Sequence, residues 1–131
     1  MANILLIEDD GALRGMLKEI LEQHGHVVTE AGNGRQGVAS YQKGVTDLVI
    51  TDVIMPDKEG IETIMDLRKI SPDVKIIAMS GGGRSSTADY LQIARSFGAK
   101  RVLYKPFDFS DLKVAVEETL AGIPPSGGQA R

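Results

Sequence analysis

The sequence predicts an α/β chain, a doubly wound parallel sheet built from five βα units with helices on both faces. Three observations carry this. Five short apolar runs, residues 3–7, 26–30, 47–51, 75–79 and 101–104, recur along the chain. Three of them, Ile4-Leu5-Leu6-Ile7, Leu48-Val49-Ile50 and Ile76-Ile77-Ala78-Met79, are nearly continuous rather than alternating, as strands covered on both faces are. Between the runs, apolar residues return at helical spacing, and strands alternating with helices imply a parallel sheet.

Taken in order, the first run leads into a stripe of Leu13, Met16, Leu17, Ile20 and Leu21, which stops at Gly25. After the second run a shorter, weaker helix covers residues 35–43 and stops at Gly44. The third run precedes a broader stripe of Ile61, Ile64, Met65, Leu67 and Ile70, ended by Ser71-Pro72. The fourth precedes Tyr90, Leu91, Ala94 and Phe97, ended by Gly98. The fifth precedes Leu112, Val116 and Leu120, with Val114 and Ala115 beside them. Five such units suit the flavodoxin-like strand order 2-1-3-4-5. Residues 122–131 (GIPPSGGQAR) lack an apolar period and read as a flexible tail or linker stub behind a domain of residues 1–121.

Composition narrows the function classes. At 131 residues the chain fits one domain, and 42% apolar with 25% charged residues is ordinary globular usage. A domain of this size buries roughly two-thirds of its unfolded surface. The absence of cysteine excludes a disulfide scaffold, a thiolate zinc site and a cysteine nucleophile. A net charge of −3 argues against direct nucleic-acid binding. No apolar run is long enough to span a bilayer, and the N-terminus lacks the pattern of a secretory signal, so a cytoplasmic protein with no membrane partner is expected.

In an open parallel sheet, ligands bind at the carboxyl ends of the strands. There the sequence places Glu8, Asp9 and Asp10 after the first strand and Ala31-Gly32-Asn33-Gly34 after the second. Asp52 follows the third, Ser80 and three glycines the fourth, and Lys105-Pro106 the fifth. Acids crowded at one edge repel one another, and a divalent cation resolves the conflict. Oxygen ligands in this number suit Mg²⁺. With Lys105 as a fixed cation and Ser80 as a hydroxyl donor, the set forms a clamp for a phosphoryl group. Asp52, at the end of the central strand, is the candidate nucleophile for an aspartyl phosphate. Each residue also has a structural reading by itself: Asp10 as a helix cap, Asp52 as a turn cap, Ser80 as a cap or loop residue, Lys105 as a solvated charge.

Two other classes compete. Gly32-Asn33-Gly34-Arg35-Gln36-Gly37 spells G-x-G-x-x-G, and Asp52 lies about twenty residues beyond, as in a dinucleotide-binding fingerprint. It follows the second unit rather than the first, and no second half exists to cover a dinucleotide. A phosphatase with Asp52 as nucleophile would need a second acid close by, and the nearest downstream is Asp57. His24 and His26 flank Gly25 at the opposite sheet edge and are expected to be surface residues.

The motifs in this order resemble the response-regulator receiver domains of two-component signalling, of the chemotaxis-regulator-like kind, over about residues 3–120. ILLIEDD resembles the family's metal-binding pair, placed at Glu8 and Asp9; TDVIMPDKEG (residues 51–60) its phospho-acceptor Asp52 with Met55-Pro56 and Gly60 behind; IIAMSG its hydroxyl at Ser80; YKPF its Lys-Pro pair at Lys105; and AGNGRQG its Asn-Gly turn. The resemblance implies that Asp52 accepts a phosphoryl group from a phosphohistidine of a sensor histidine kinase or histidine phosphotransfer protein. It implies Mg²⁺ held by Asp9, Glu8 through water, Asp52 and the backbone carbonyl of Ile54. Lys105 and Ser80 would bind phosphoryl oxygens, so the domain catalyses its own phosphorylation while acting as a switch. The readout surface maps to residues 88–120, and the output partner is a downstream protein effector or an output domain outside this chain.

Three features depart from the family pattern. The aromatic residue usual three before the lysine is Val102 here, so Tyr104, on the same strand face, or Phe107 is expected to couple site to readout. The loop SGGGRSS (residues 80–86) is rich in glycine, and its amides with Arg84 are expected to order on phosphorylation. Ile54 and Gly82 stand where the family tunes acyl-phosphate hydrolysis, and neither can orient water, which implies slow self-dephosphorylation.

Overall fold

The computed structural model describes residues 1–53, 59–80 and 94–123. Its strands are β1 (Asn3–Ile7), β2 (Val27–Ala31), β3 (Leu48–Asp52), β4 (Ile76–Ser80) and β5 (Arg101–Tyr104). Its helices are α1 (Gly11–Gln23), α2 (Gly34–Lys43), α3 (Glu59–Ile70) and α4 (Phe109–Ala121), and residues 94–96 are also helical. All neighbouring strands pair in parallel, in the order β2-β1-β3-β4-β5, as the sequence predicts.

β2, β3 and β4 each run one residue later than their apolar runs suggest. Asp52 still pairs with Met79, and Ser80 with Tyr104. A ladder is made of main-chain groups, and it continues as long as a neighbour strand supplies partners. Two polar side chains are thereby carried, buried, to the end of the central strands.

The continuous apolar runs divide between two cores with the period of two that a strand imposes. Ile4, Leu6, Ile50, Met79 and Leu103 pack with Leu17 and Leu21 of α1 and with Leu112 and Val116 of α4. Leu5, Ile7, Val49, Ala78 and Val102 pack on the other face with Ile64 and Leu67 of α3 and with Ala94, and Val38 and Tyr41 of α2 join them. Close approach of α2 to β1 requires Gly37, because a Cβ there would overlap the Ile7 side chain.

The predicted helix stripes are wider than the buried ones. Met16, Met65, Ile70, Phe97 and Val114 are each 38–49% exposed, while the buried Thr119, which the stripe omitted, faces inward beside Val116. A helix lying on a flat sheet covers only the residues nearest its line of contact, and the flanks of an apolar stripe stay in water. Tyr90 and Leu91 lie outside the described residues. At the end of α4, Lys75 Nζ donates to the Leu120 carbonyl at 2.8 Å. Arg101 Nη2 donates to Glu118 Oε1 at 2.9 Å and to the Ile123 carbonyl at 2.7 Å. Contacts with the sheet therefore run to Ile123.

Candidate functional site at the carboxyl edge of the sheet

The chain leaves β1 with its ladder still running, since the Glu8 amide donates to the Ala31 carbonyl at 3.0 Å. That register turns the Glu8 side chain inward, where it is 1% exposed. Asp9 follows as an exposed acid. Asp10 is the N-cap of α1, accepting from the amides of Ala12 and Leu13 at 3.0 and 3.1 Å. Of the two readings the sequence allows for Asp10, the structural one holds.

Asp52 ends β3 and is buried. Its backbone is pressed against α3, for a Cβ on Gly60 would overlap Val53 Cα and the Asp52 carbonyl oxygen. Ser80 ends β4, the strand between those that carry Asp52 and Lys105. Its carbonyl accepts from the Lys105 amide at 2.6 Å, which extends the ladder past β5 and turns the lysine over the edge.

The Lys105 ammonium joins the acids. Nζ lies 2.8 Å from Asp52 Oδ2 and 2.9 Å from Glu8 Oε1. Glu8, Asp9 and Asp52 each offer a carboxylate oxygen within 4.8 Å of the others. Among the described residues, three carboxylates gather around one ammonium, so the cluster is net acidic. Burial pushes the Glu8 carboxyl up to about 7, and the Asp52 charge adds to it against the pull of Lys105. Burial works against the charged form of Lys105, but the hydrogen bonds and charges of Asp52 and Glu8 outweigh it and hold its pKa above the ordinary value. An all-oxygen, net acidic donor set fits a hard divalent cation. Ser80 Oγ is buried with no hydrogen-bond partner among the described residues.

The response regulator receiver domain family matches residues 4–117, the span that carries the sheet and all five of these side chains. The chain belongs to this family.

The receiver domain is 38% identical over 123 residues to the chemotaxis protein CheY of Bacillus subtilis, covering 92% of this chain and 99% of CheY. It is also 38% identical over 135 residues to the DNA-binding transcriptional regulator NtrC of Azospirillum brasilense, covering 98% of this chain but 27% of NtrC. A crystal structure of a response regulator receiver domain protein from Clostridium thermocellum superposes with a TM-score of 0.85 at 29% identity, covering 93% of this chain and 96% of that one. Relatives thus include chains of the same length and much longer ones that contain such a domain as a part.

Of the predicted site residues, Glu8, Asp9, Asp52 and Lys105 meet in one cluster, and Ser80 stands on the intervening strand. Ile54, Asp57, Gly82 and Arg84 lie outside the described residues, as does the glycine-rich loop beyond Ser80. Val102 is buried, and Tyr104 packs on the same face, toward α3 and Ala94. Phe107 packs on the opposite face, toward α1 and α4. The two proposed couplers therefore address different sides of the sheet.

The G-x-G-x-x-G segment has a local explanation. Asn33 caps α2 by accepting from the Gln36 amide at 2.8 Å, and Gln36 Oε1 accepts from the Gly32 amide at 3.0 Å. Two of the amides that would cradle a phosphate are thus occupied by the turn itself. His26 Nδ1 accepts from the Ala2 amide at 3.2 Å, at the edge of the sheet remote from the acids.

One residue escaped the sequence reading. Arg14 Nη1 donates to the Glu8 carbonyl at 2.6 Å, and its Nε lies 3.1 Å from Glu30 Oε1. An arginine beside an apolar helix stripe looks like a solvated charge, and only its position one turn past the Asp10 cap hints that it reaches back over the first strand.

Among the described residues, no helix is long and apolar enough to cross a membrane.

Proposed function

We propose that this receiver domain is a Mg²⁺-dependent phospho-acceptor switch of the cytoplasm. Asp52 takes a phosphoryl group from the phosphohistidine of a sensor histidine kinase or histidine phosphotransfer protein. The observation that carries this reading is the Lys105 ammonium bridging Glu8 and Asp52, with Asp9 beside them. Residues 1–121 form the switch and 122–131 a tail or linker, whose first two residues still contact the domain. The output is a protein effector or a domain joined beyond the tail.

Glu8, Asp9 and Asp52 would hold the cation, with the Ile54 carbonyl as a fourth protein ligand expected from the family resemblance. When bound, Mg²⁺ supplies charge neutralisation between the acids and the incoming phosphoryl oxygens. An Asp52 carboxylate oxygen forms the new bond to phosphorus as the phosphorus–nitrogen bond of the donor breaks. The imidazole leaves with that bond's electron pair and a proton from solvent. Lys105, already fixed against Asp52, binds a phosphoryl oxygen, and the Ser80 hydroxyl donates to another. Lys105 is held against Asp52 before transfer, so little reorganisation of that donor is needed when charge develops. The product replaces one carboxylate charge by about two on the phosphoryl group, which redraws the contacts of Lys105 and biases the readout region that the family resemblance maps to residues 88–120.

Intact-mass spectrometry after incubation with acetyl phosphate tests the reading. One phosphoryl adduct is expected with Mg²⁺, none with chelator and none in Asp52→Asn. An adduct that persists in Asp52→Asn, or that forms equally well without a divalent cation, overturns it.

A further inference from the structure

We infer that Arg14 is a positioning residue for the acidic cluster, acting through the peptide that joins Glu8 to Asp9. The inference rests on the reading of that cluster as a divalent-cation site.

Glu8 is held at each of its other polar groups. Its amide donates to Ala31, Lys105 donates to Oε1, and the Asp10 amide donates to Oε2 at 3.2 Å. Its carbonyl is beyond the end of β1, and Arg14 Nη1 reaches it from α1 at 2.6 Å. The same guanidinium is anchored by Glu30 of β2 through Nε. Arg14 therefore ties α1, the exit of β1 and β2 together with the two-handed fork that guanidinium alone provides. The oxygen it holds belongs to the peptide plane from which Asp9 hangs. Asp9 is the exposed member of the cluster and has the most freedom to swing. Fixing that plane keeps its carboxylate within reach of those of Glu8 and Asp52.

The sign of one measurement separates this role from a simple charge effect. Arg14 is a cation close to a cation site. If it acted only through its field, its removal would tighten Mg²⁺ binding. If it positions the ligands, removal weakens binding, and loss of such a supporting contact is worth about tenfold in metal affinity.

Calorimetric titration of the metal-free protein with MgCl₂ reads this directly. Arg14→Met keeps the aliphatic stem and is expected to bind Mg²⁺ about tenfold more weakly than wild type. Glu30→Gln weakens binding less and adds nothing in the Arg14→Met background, because both act through one contact. In the metal-free protein, the Asp9 amide resonance shifts in Arg14→Met and its hydrogen exchange speeds up. Unchanged or tighter Mg²⁺ binding in Arg14→Met, or an unaltered Asp9 amide, overturns the inference. Should Arg14→Met fail to fold, Arg14→Lys, which keeps the charge and loses the fork, carries the same test with the same expected weakening. Wild-type protein that binds no Mg²⁺ defeats the reading of the cluster itself, an outcome visible before any variant is made.

Discussion

Lys105 Nζ lies 2.8 Å from Asp52 Oδ2 across 53 residues of chain, and the same ammonium reaches Glu8 Oε1 at 2.9 Å. One cation thus balances part of the charge of two buried acids that the sheet forces together. The arrangement carries electrostatic strain in a defined direction: among the described residues, the cluster holds more acid than base.

Glu8 makes that strain measurable by pH. Its folded-state pKa is raised from 4.5 to about 7, so the folded protein holds the proton more tightly than the unfolded chain. The stabilisation is complete below about 4.5 and is lost as pH rises through 7, for a total on the order of 3 kcal/mol. Urea unfolding from pH 4.5 to 8 is expected to show this decline in wild type relative to Glu8→Gln, which cannot ionise. Parallel curves for the two proteins contradict the prediction.

Lys105→Met leaves Glu8 and Asp52 without their shared partner. Breaking a buried ion pair from one side costs on the order of 3 kcal/mol. The variant is expected to unfold earlier in urea at pH 8, to regain stability as the pH falls toward 5, and to phosphorylate poorly with acetyl phosphate. Wild-type stability at pH 8 would mean the bridge contributes nothing.

Ser80→Ala separates stability from function. Its hydroxyl is buried and unpartnered among the described residues, so removing it relieves an unsatisfied group. A gain of about 1 kcal/mol is expected. The rate of phosphorylation at Asp52, followed by phosphate-sensitive gel shift, is expected to fall at least tenfold if the hydroxyl donates to the transferring group as proposed. A variant that is both less stable and fully active would show the hydroxyl to be structural.

Gly60→Ala drives a methyl group into the Val53 backbone and the Asp52 carbonyl. Overpacking of this kind costs about 1–3 kcal/mol. Because the clash falls on the residue proposed as nucleophile, slower acetyl phosphate labelling should accompany the lower urea midpoint. Loss of stability with unaltered labelling would show that α3 moves away and Asp52 stays put.

Much of the site was legible before folding was considered. Continuous apolar runs placed the strands, and the rule that parallel sheets expose chemistry at their carboxyl ends picked out Glu8, Asp9, Asp52, Ser80 and Lys105. Boundaries were less legible: Asp52 and Ser80 look like loop residues by hydropathy yet belong to β3 and β4, since backbone pairing ignores side-chain polarity. Met16 and Val114 look like core by spacing yet face water, since a sheet covers only a narrow line of each helix.

By itself the sequence determined which residue types stand at which strand ends, because hydrophobic period and turn residues are local properties of the chain. Tertiary structure alone decided how their charges are shared. It made Asp10 a cap rather than a member of the cluster, raised the Glu8 carboxyl by burying it beside Asp52, and brought Arg14 back over β1 to the Glu8 carbonyl. Coulomb and hydrogen-bond energies depend on separation in space and on exclusion of water, and neither exists until distant segments have packed.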